Sequence, residues 1–328
     1  MNLSIVGATG LVGRTMLRIL EERDVPIASL LLLASERSAG VRIPFRGQEL
    51  EVHALAEDSM PSNTIALFSA GGETSRAWAP RFAAAGNIVV DNSSTWRMDP
   101  DVPLVVPGVN DSDVLNHRGI IANPNCSTIQ MVPVLAAIHA AYGLKRVVVS
   151  TYQSPSGAGQ KGVDQLQAET RGQVPTARIA HHSLAYNTVF HNIGGVGQSS
   201  EEEVKMQRET RRILHLPHLP MAVTCVRVPV LGGHAESIAI ETTHPLNPDI
   251  VRAELGEIAN VVVADDPAAG VYPTPQLAAG TDTIFVGRIR RDDSVDNGIL
   301  LWVVADNLRV GAATNAIRIA DLLSYHNA

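Results

Sequence analysis

"LSIVGATGLVG", residues 3–13, is the stretch that decides the fold of the N-terminal half. An apolar run ends in Gly7, Gly10 and Gly13, spaced i, i+3 and i+6. The following segment, Leu11 to Arg23, places Val12, Met16, Ile19 and Leu20 on one helical face. A strand, a glycine turn and a helix in that order form a cradle for phosphate. Gly7 and Gly10 let the backbone turn and come close to a pyrophosphate, and Gly13 lets the helix pack on the strand. The helix N-terminus contributes free amides and the positive end of its dipole. A glycine trio alone is weak evidence; its strand-loop-helix context is what points to a dinucleotide.

Outward from this unit the pattern repeats. "LLLLAS" (30–35), "TIALFSA" (64–70), "NIVVDNSS" (87–94) and "RGIIANP" (118–124) read as buried strands, separated by helical stretches such as "ETSRAWAPRFAAAG". Repeated strand-helix units predict a parallel sheet with helices on both faces. From about residue 144 the runs lengthen: "KRVVVSTYQS", "MAVTCVRVPVL", "SIAIETTH", "TIFVGRIRR" and "ILLWVVADNL" suit one large mixed or antiparallel sheet. Asn297-Gly298 between the last two predicts a hairpin turn. The expected fold is α/β: an N-terminal Rossmann-type dinucleotide-binding domain and an α+β domain with a large mixed sheet. The first is drawn over residues 1–123 and completed by a C-terminal helix, 309–328; the second spans 124–308. Residues 169–200, with His181, His182 and His191, follow no clear pattern.

The 328 residues carry a net charge of −7. That argues against nucleic acid, whose partners usually carry a clustered basic surplus. The chain opens without a secretory pattern, and no apolar run is long enough for a membrane span, so a cytoplasmic protein is expected. Its two cysteines, Cys126 and Cys225, do not make a disulfide framework.

Ser35, Arg37 and Ser38, at the end of the second strand, offer hydroxyls and a guanidinium to a ribose 2′-phosphate, which favours NADP(H) over NAD. Glu36 opposes that choice if it points inward. In "NPNCSTIQ" (123–130) Cys126 stands where a helix begins. A helix N-terminus stabilises a thiolate, and its amides can hold an oxyanion. Free cysteine is also among the most buried and inert residues, so nucleophile and core thiol both remain open from position alone. Cys225, inside "AVTCVRVPV", reads as core. Arg227 and His234 are seven apart, an odd spacing that puts them on opposite faces of a regular strand unless Gly232-Gly233 breaks it.

At this point the chain resembles the aspartate-semialdehyde dehydrogenase family. The resemblance rests on "GATGLVG", "SAGG" (69–72), "DNSSTWRM" (91–98), "VVPGVN" (105–110), "ANPNCSTIQ", "STYQSPSGAG" (150–159), "EEEVKM" (201–206), "CVRVPV" with "GHAES", and "LLWVVADNLRVGAATNA". It implies that Cys126 accepts the acyl group, His234 is the general acid/base and Gln153 orients the reacting group. Arg227 would grip the substrate α-carboxylate and Glu202 its α-ammonium, while Lys205 and Arg97 hold phosphate and Asn125 shapes the acyl site. The implied cofactor contacts are Gly7, Thr9, Gly10, Leu11, Val12 and Gly13 of the loop, then Ser35, Arg37 and Ser38, then Ser69, Ala70 and Gly71, and finally Asn307. The implied reaction is NADPH-dependent reductive dephosphorylation of 4-phospho-L-aspartate to L-aspartate 4-semialdehyde through a Cys126 thioester, in lysine, methionine and threonine biosynthesis. A homodimer and no metal are implied. The other readings are another acyl-phosphate reductase, such as N-acetyl-glutamyl-phosphate reductase, and an inactive paralogue that acts as a binding protein. Gly108 stands where the family often has Glu, and the 169–200 segment departs from the family text.

Overall fold

The computed structural model of the chain describes residues 1–326. It divides into two compact units, one of residues 1–125 with 312–328 and one of residues 126–311.

The first unit is built from β1 (Asn2–Val6), α1 (Leu11–Glu22), β2 (Ser29–Ala34), β3 (Arg42–Phe45), β4 (Gln48–Ala54), β5 (Ile65–Phe68), α2 (Gly72–Ala84), β6 (Ile88–Asp91) and β7 (Ile120–Ala122). Its seven strands run β3-β4-β2-β1-β5-β6-β7, all neighbours parallel except the β3–β4 hairpin at one edge. That hairpin was not legible as two strands in "VRIPFRGQELEVHA". Its polar, half-exposed positions lack the apolar runs of the buried strands. Met16, Ile19 and Leu20 of α1 are fully buried, as their shared helical face requires. The C-terminal helix Asn315–His326 supplies Ala316, Ile317, Ile319, Ala320 and Leu323 to the same core. Each buried aliphatic side chain stabilises the unit by about 1.5–3 kcal/mol relative to exposure. Because the chain leaves β1 in one direction for β2 and returns past it to β5, the loops after these strands open at a topological switch point, the usual ligand position in such sheets.

The second unit begins with α3 (Cys126–Tyr142) and β8 (Leu144–Gln153), followed by α4 (Gln160–Thr170), β9 (Val189–Phe190), β10 (Ile193–Val196), β11 (Ser199–Ser200), α5 (Glu201–Ile213), β12 (Met221–Arg227), β13 (His234–Thr242), α6 (Pro248–Gly256), β14 (Val261–Val263), α7 (Pro275–Ala278), β15 (Ile284–Arg291) and β16 (Gly298–Ala305). Its large sheet runs β14-β15-β16-β13-β8-β12-β9 and is mixed: β8–β12 and β14–β15 are parallel, the rest antiparallel. Helices α3 and α5 cover one face. The opposite face alternates Ser150, Tyr152, Ser237 and Trp302, half-buried or exposed. A cavity of about 390 Å³ on that outer face is lined by Ser237, Tyr272, Arg288, Arg290 and Trp302.

The expected hairpin forms between β15 and β16, but not around Asn297-Gly298. The connection runs over 292–297, Gly298 opens β16, and the Asp292 N–H donates to the Gly298 carbonyl at 3.0 Å. Neither residue is left-handed. A Cβ on residue 298 would lie 2.4 Å from Val295 Cγ2, so the glycine serves close approach and not a tight turn.

Candidate active site

Gln153 is the last residue of the central strand β8, and the sheet register builds a site around it. Arg227, ending β12, pairs with it on one side; His234, opening β13, pairs with it on the other. Directly paired residues share a face, so the three side chains form one row. The odd spacing of Arg227 and His234 is resolved because they end and begin different strands. Two residues back, Cys225, Thr151 and Glu236 form a second row on the same face.

His234 is fully buried. The Ser154 N–H donates to its Nδ1 at 3.1 Å, so the neutral ring carries its proton on Nε2. Burial pushes its pKa down to about 4, against smaller opposing effects of the Gly233 backbone and Glu202. Nε2 is buried without a hydrogen-bond partner among the described residues, and so is Arg227 Nη1. A Cβ on Gly157 would sit 3.4 Å from His234 Nε2 and 4.0 Å from Arg227 Nη1. Both donors therefore border the space beside Gly157, which the missing side chain keeps open.

Cys126 is the first residue of α3 and half-buried. It is close enough to Arg227 to act on its charge. Gln153 Nε2 donates to Ser127 Oγ at 3.0 Å and Thr151 Oγ1 at 3.1 Å, and reaches Glu202 Oε1 at 3.5 Å. The run of three acids divides its labour. Glu201 pairs with Lys205 at 3.5 Å, Glu203 closes a capping box with Ser200 and accepts from the Cys225 N–H, and Glu202 is the one turned to Gln153. Cys225 is fully buried against Met206 Sδ at 3.6 Å, and burial raises its thiol pKa far above the usual value, as an inert core thiol requires.

His191 joins this cluster. It follows β9, whose Val189 pairs with Arg227, and its pKa is pushed down to about 4 by burial and by Arg227, against Glu202. Its Nε2 is buried without a hydrogen-bond partner among the described residues. The only sequence signal was a histidine in an unpatterned segment. Asn307, read as a cofactor contact, directs Oδ1 to Ser156 Oγ (3.1 Å) and to the Gly233 N–H (3.0 Å), bracing the turns that flank His234.

The first unit contributes separately. Gly7, at φ +91°, follows β1, and a Cβ there would lie 2.5 Å from the Ser69 carbonyl oxygen. A Cβ on Gly13 would lie 2.3 Å from the Gly7 carbonyl oxygen. Both positions thus admit only glycine. The first intrahelical bond of α1 runs from the Arg14 N–H to the Gly10 carbonyl, so the amides of Leu11, Val12 and Gly13 precede it. Thr9 Oγ1 donates to Ser38 Oγ at 3.3 Å, bringing the glycine loop to the turn after β2, where Ser35 and Arg37 are exposed. Ser69, Ala70 and Gly71 follow β5 at the same end of the sheet. This loop fits a dinucleotide pyrophosphate. Arg97 is buried, with Nε on the Asn123 carbonyl (2.9 Å) and Nη2 on that of Asn92 (2.8 Å). Asn125, also buried, ends this unit. Among the described residues no group of three acidic, cysteine or histidine side chains could hold a metal, and no helix is long and apolar enough to cross a membrane.

Residues 2–117 match the profile of the semialdehyde dehydrogenase NAD binding domain and residues 135–310 that of the semialdehyde dehydrogenase dimerisation domain. The chain belongs to the aspartate-semialdehyde dehydrogenase family. It is 51% identical to the aspartate-semialdehyde dehydrogenase of Aquifex aeolicus over 98% of this chain and 97% of that one. It is 44% identical to that of Bacillus subtilis, over 100% and 98%. The crystal structure of aspartate semialdehyde dehydrogenase II from Vibrio cholerae, complexed with ASA, superposes with a TM-score of 0.93 at 43% identity, covering 99% and 98% of the two chains. Family membership accounts for the paired glycine-loop and mixed-sheet units.

Proposed function

We propose that this chain is an aspartate-semialdehyde dehydrogenase that converts 4-phospho-L-aspartate to L-aspartate 4-semialdehyde and phosphate with NADPH. The observation that carries the reading is the row Arg227–Gln153–His234, with Cys126 and Glu202 beside it, in a chain similar over nearly its whole length to proteins of that name. Arg227 presents a guanidinium to the α-carboxylate, Glu202 a carboxylate to the α-ammonium and Lys205 an ammonium to phosphate. An N-acetylated substrate carries no ammonium for Glu202, which argues against the acetyl-glutamyl alternative.

The Cys126 sulfur attacks the acyl carbon, the bond from that carbon to the phosphate oxygen breaks, and a thioester results. His234 Nε2–H faces the acyl oxygen and holds the charge that builds there before phosphate leaves and again before sulfur leaves. Gln153, fixed by Ser127 and Thr151, sets the orientation of the acyl group. A nicotinamide dinucleotide, when bound, would supply hydride for the reduction of the acyl group, and overall one proton is taken up with the released phosphate. Ser35, Arg37 and Ser38 support NADP(H) as that dinucleotide, held by Gly7, Thr9, Gly10, Leu11, Val12, Gly13 and the Ser69–Gly71 turn. Arg97 is assigned to phosphate and Asn125 to the acyl group in this reading. The half-exposed outer face of the large sheet, with Tyr152, Phe190 and Tyr272, suits a homodimer, and the protein is assigned to the cytoplasm.

Purified protein is expected to oxidise aspartate semialdehyde in the presence of NADP and phosphate. Cys126→Ala should lower turnover at least about a thousandfold while NADP binding, followed by calorimetry, persists. Activity confined to N-acetyl-glutamate semialdehyde would overturn the assignment.

A further inference from the structure

Glu236 stands two residues after His234 on β13 and on the same face, paired across the sheet with Thr151 and Val303. It is fully buried, and neither carboxylate oxygen has a hydrogen-bond partner among the described residues. The hydrogen-bonding side chains beside it are Gln130 and Ser127, both from the first turns of α3. Gln130 is itself fully buried. Its Nε2 donates to the His234 carbonyl at 3.3 Å, and its Oε1 has no donor among the described residues. An ionised carboxylate accepts hydrogen bonds only, as an amide oxygen does, so Gln130 Oε1 and the two Glu236 oxygens are three buried acceptors, and the Ser127 hydroxyl and the Gln130 amide are the side-chain donors beside the carboxylate. Each unsatisfied buried polar group costs about 1–3 kcal/mol, and more for a charged one. One proton on Glu236 removes the conflict: its hydroxyl then donates to Gln130 Oε1, and the buried charge disappears. Burial raises the Glu236 pKa well above its ordinary value, offset only in part by Gln130 and Ser127.

We propose that Glu236 works as a neutral, protonated acid that positions the reacting groups. Its hydroxyl donates to Gln130 Oε1 and, through Gln130 Nε2 on the His234 carbonyl, ties the first turns of α3 to the start of β13. The element that begins with Cys126 is thereby held to the element that begins with His234. Neutrality also keeps a second negative charge away from the first turn of α3, where an ionised sulfur would have to stand. This inference rests on the reading of Cys126 and His234 as the reacting pair, but the protonation state is measurable without any substrate.

Difference infrared spectroscopy of wild type and Glu236→Gln near neutral pH tests the proton directly. A carbonyl stretch of a protonated carboxyl is expected in wild type and absent from the variant. Turnover tests the tether. Glu236→Gln, whose amide can donate to Gln130 Oε1, should keep kcat within about threefold, whereas Glu236→Leu should lower kcat by about tenfold or more. In Glu236→Leu, the KM for NADP should stay unchanged and iodoacetamide should alkylate Cys126 at an altered rate. Should Glu236→Leu fail to fold, the spectrum and the glutamine variant still decide. A wild-type spectrum without the protonated band, or a glutamine variant whose kcat falls by about tenfold or more, would overturn the proposal. A protein inactive on aspartate semialdehyde but showing the band would instead count against the assigned reaction.

Discussion

His234 and Arg227 each carry a buried nitrogen with no hydrogen-bond partner among the described residues, and both border the gap beside Gly157. Two orphaned donors at one opening are costly unless a ligand uses them, since each forfeits its hydrogen bond to water. A carboxylate and an acyl oxygen are the groups that match them. Gly157→Ala would insert a methyl 3.4 Å from His234 Nε2, in van der Waals contact with the ring and within the space a ligand would use. We expect kcat/KM for aspartate semialdehyde to drop by about tenfold, with the Kd for NADP unchanged in calorimetry. Equal losses in both measurements would show that the gap does not select the substrate.

Among the elements, the start of α3 is the part whose placement matters most. A Cβ on Gly311 would lie 2.7 Å from the Cys126 Cβ and 3.0 Å from its Cα, and backbone at that distance cannot swing aside as a side chain can. Gly311→Ala should therefore push the first turn of α3, costing about 1–3 kcal/mol of stability and moving Cys126 away from Arg227. The expected result is a lower melting temperature together with slower alkylation of Cys126. Unaltered alkylation kinetics would mean that the helix start absorbs the strain without moving. Much at this scale was legible. Buried strands announce themselves by unbroken apolar runs, and the glycine trio by its place between strand and helix. The β3–β4 hairpin and the short strands β9 to β11 were not, because two- to four-residue or polar edge strands carry too few buried positions to show a pattern.

For the molecule as a whole, the buried imidazoles tie folding to pH. The His191 pKa falls from 6.5 to about 4 on folding, under burial first and Arg227 and Lys205 besides, against Glu202. Between those values the unfolded chain binds the proton and the folded chain does not, so stability rises with pH across that window and is lost as pH falls through it. His191→Gln removes this titration. Relative to the variant, wild type should lose about 2 kcal/mol between neutral pH and pH 4, about the size expected for a largely buried histidine. Urea denaturation at several pH values measures the difference; a gap that stays constant with pH would reject the lowered value.

The amino-acid sequence by itself determined the alternation of elements, the dinucleotide loop, the family and the identity of most candidate site residues. These follow from local periodicity and from contiguous motifs. Only the tertiary structure decided that Arg227, Gln153 and His234 stand in one row, that Glu202 and not its neighbours turns to Gln153, and that His191, Gly157 and Glu236 belong with them. The physical reason is that strand pairing joins residues far apart in the chain. Register across β12, β8 and β13 is set by the packing of the whole sheet under α3 and α5, and no stretch of sequence contains it.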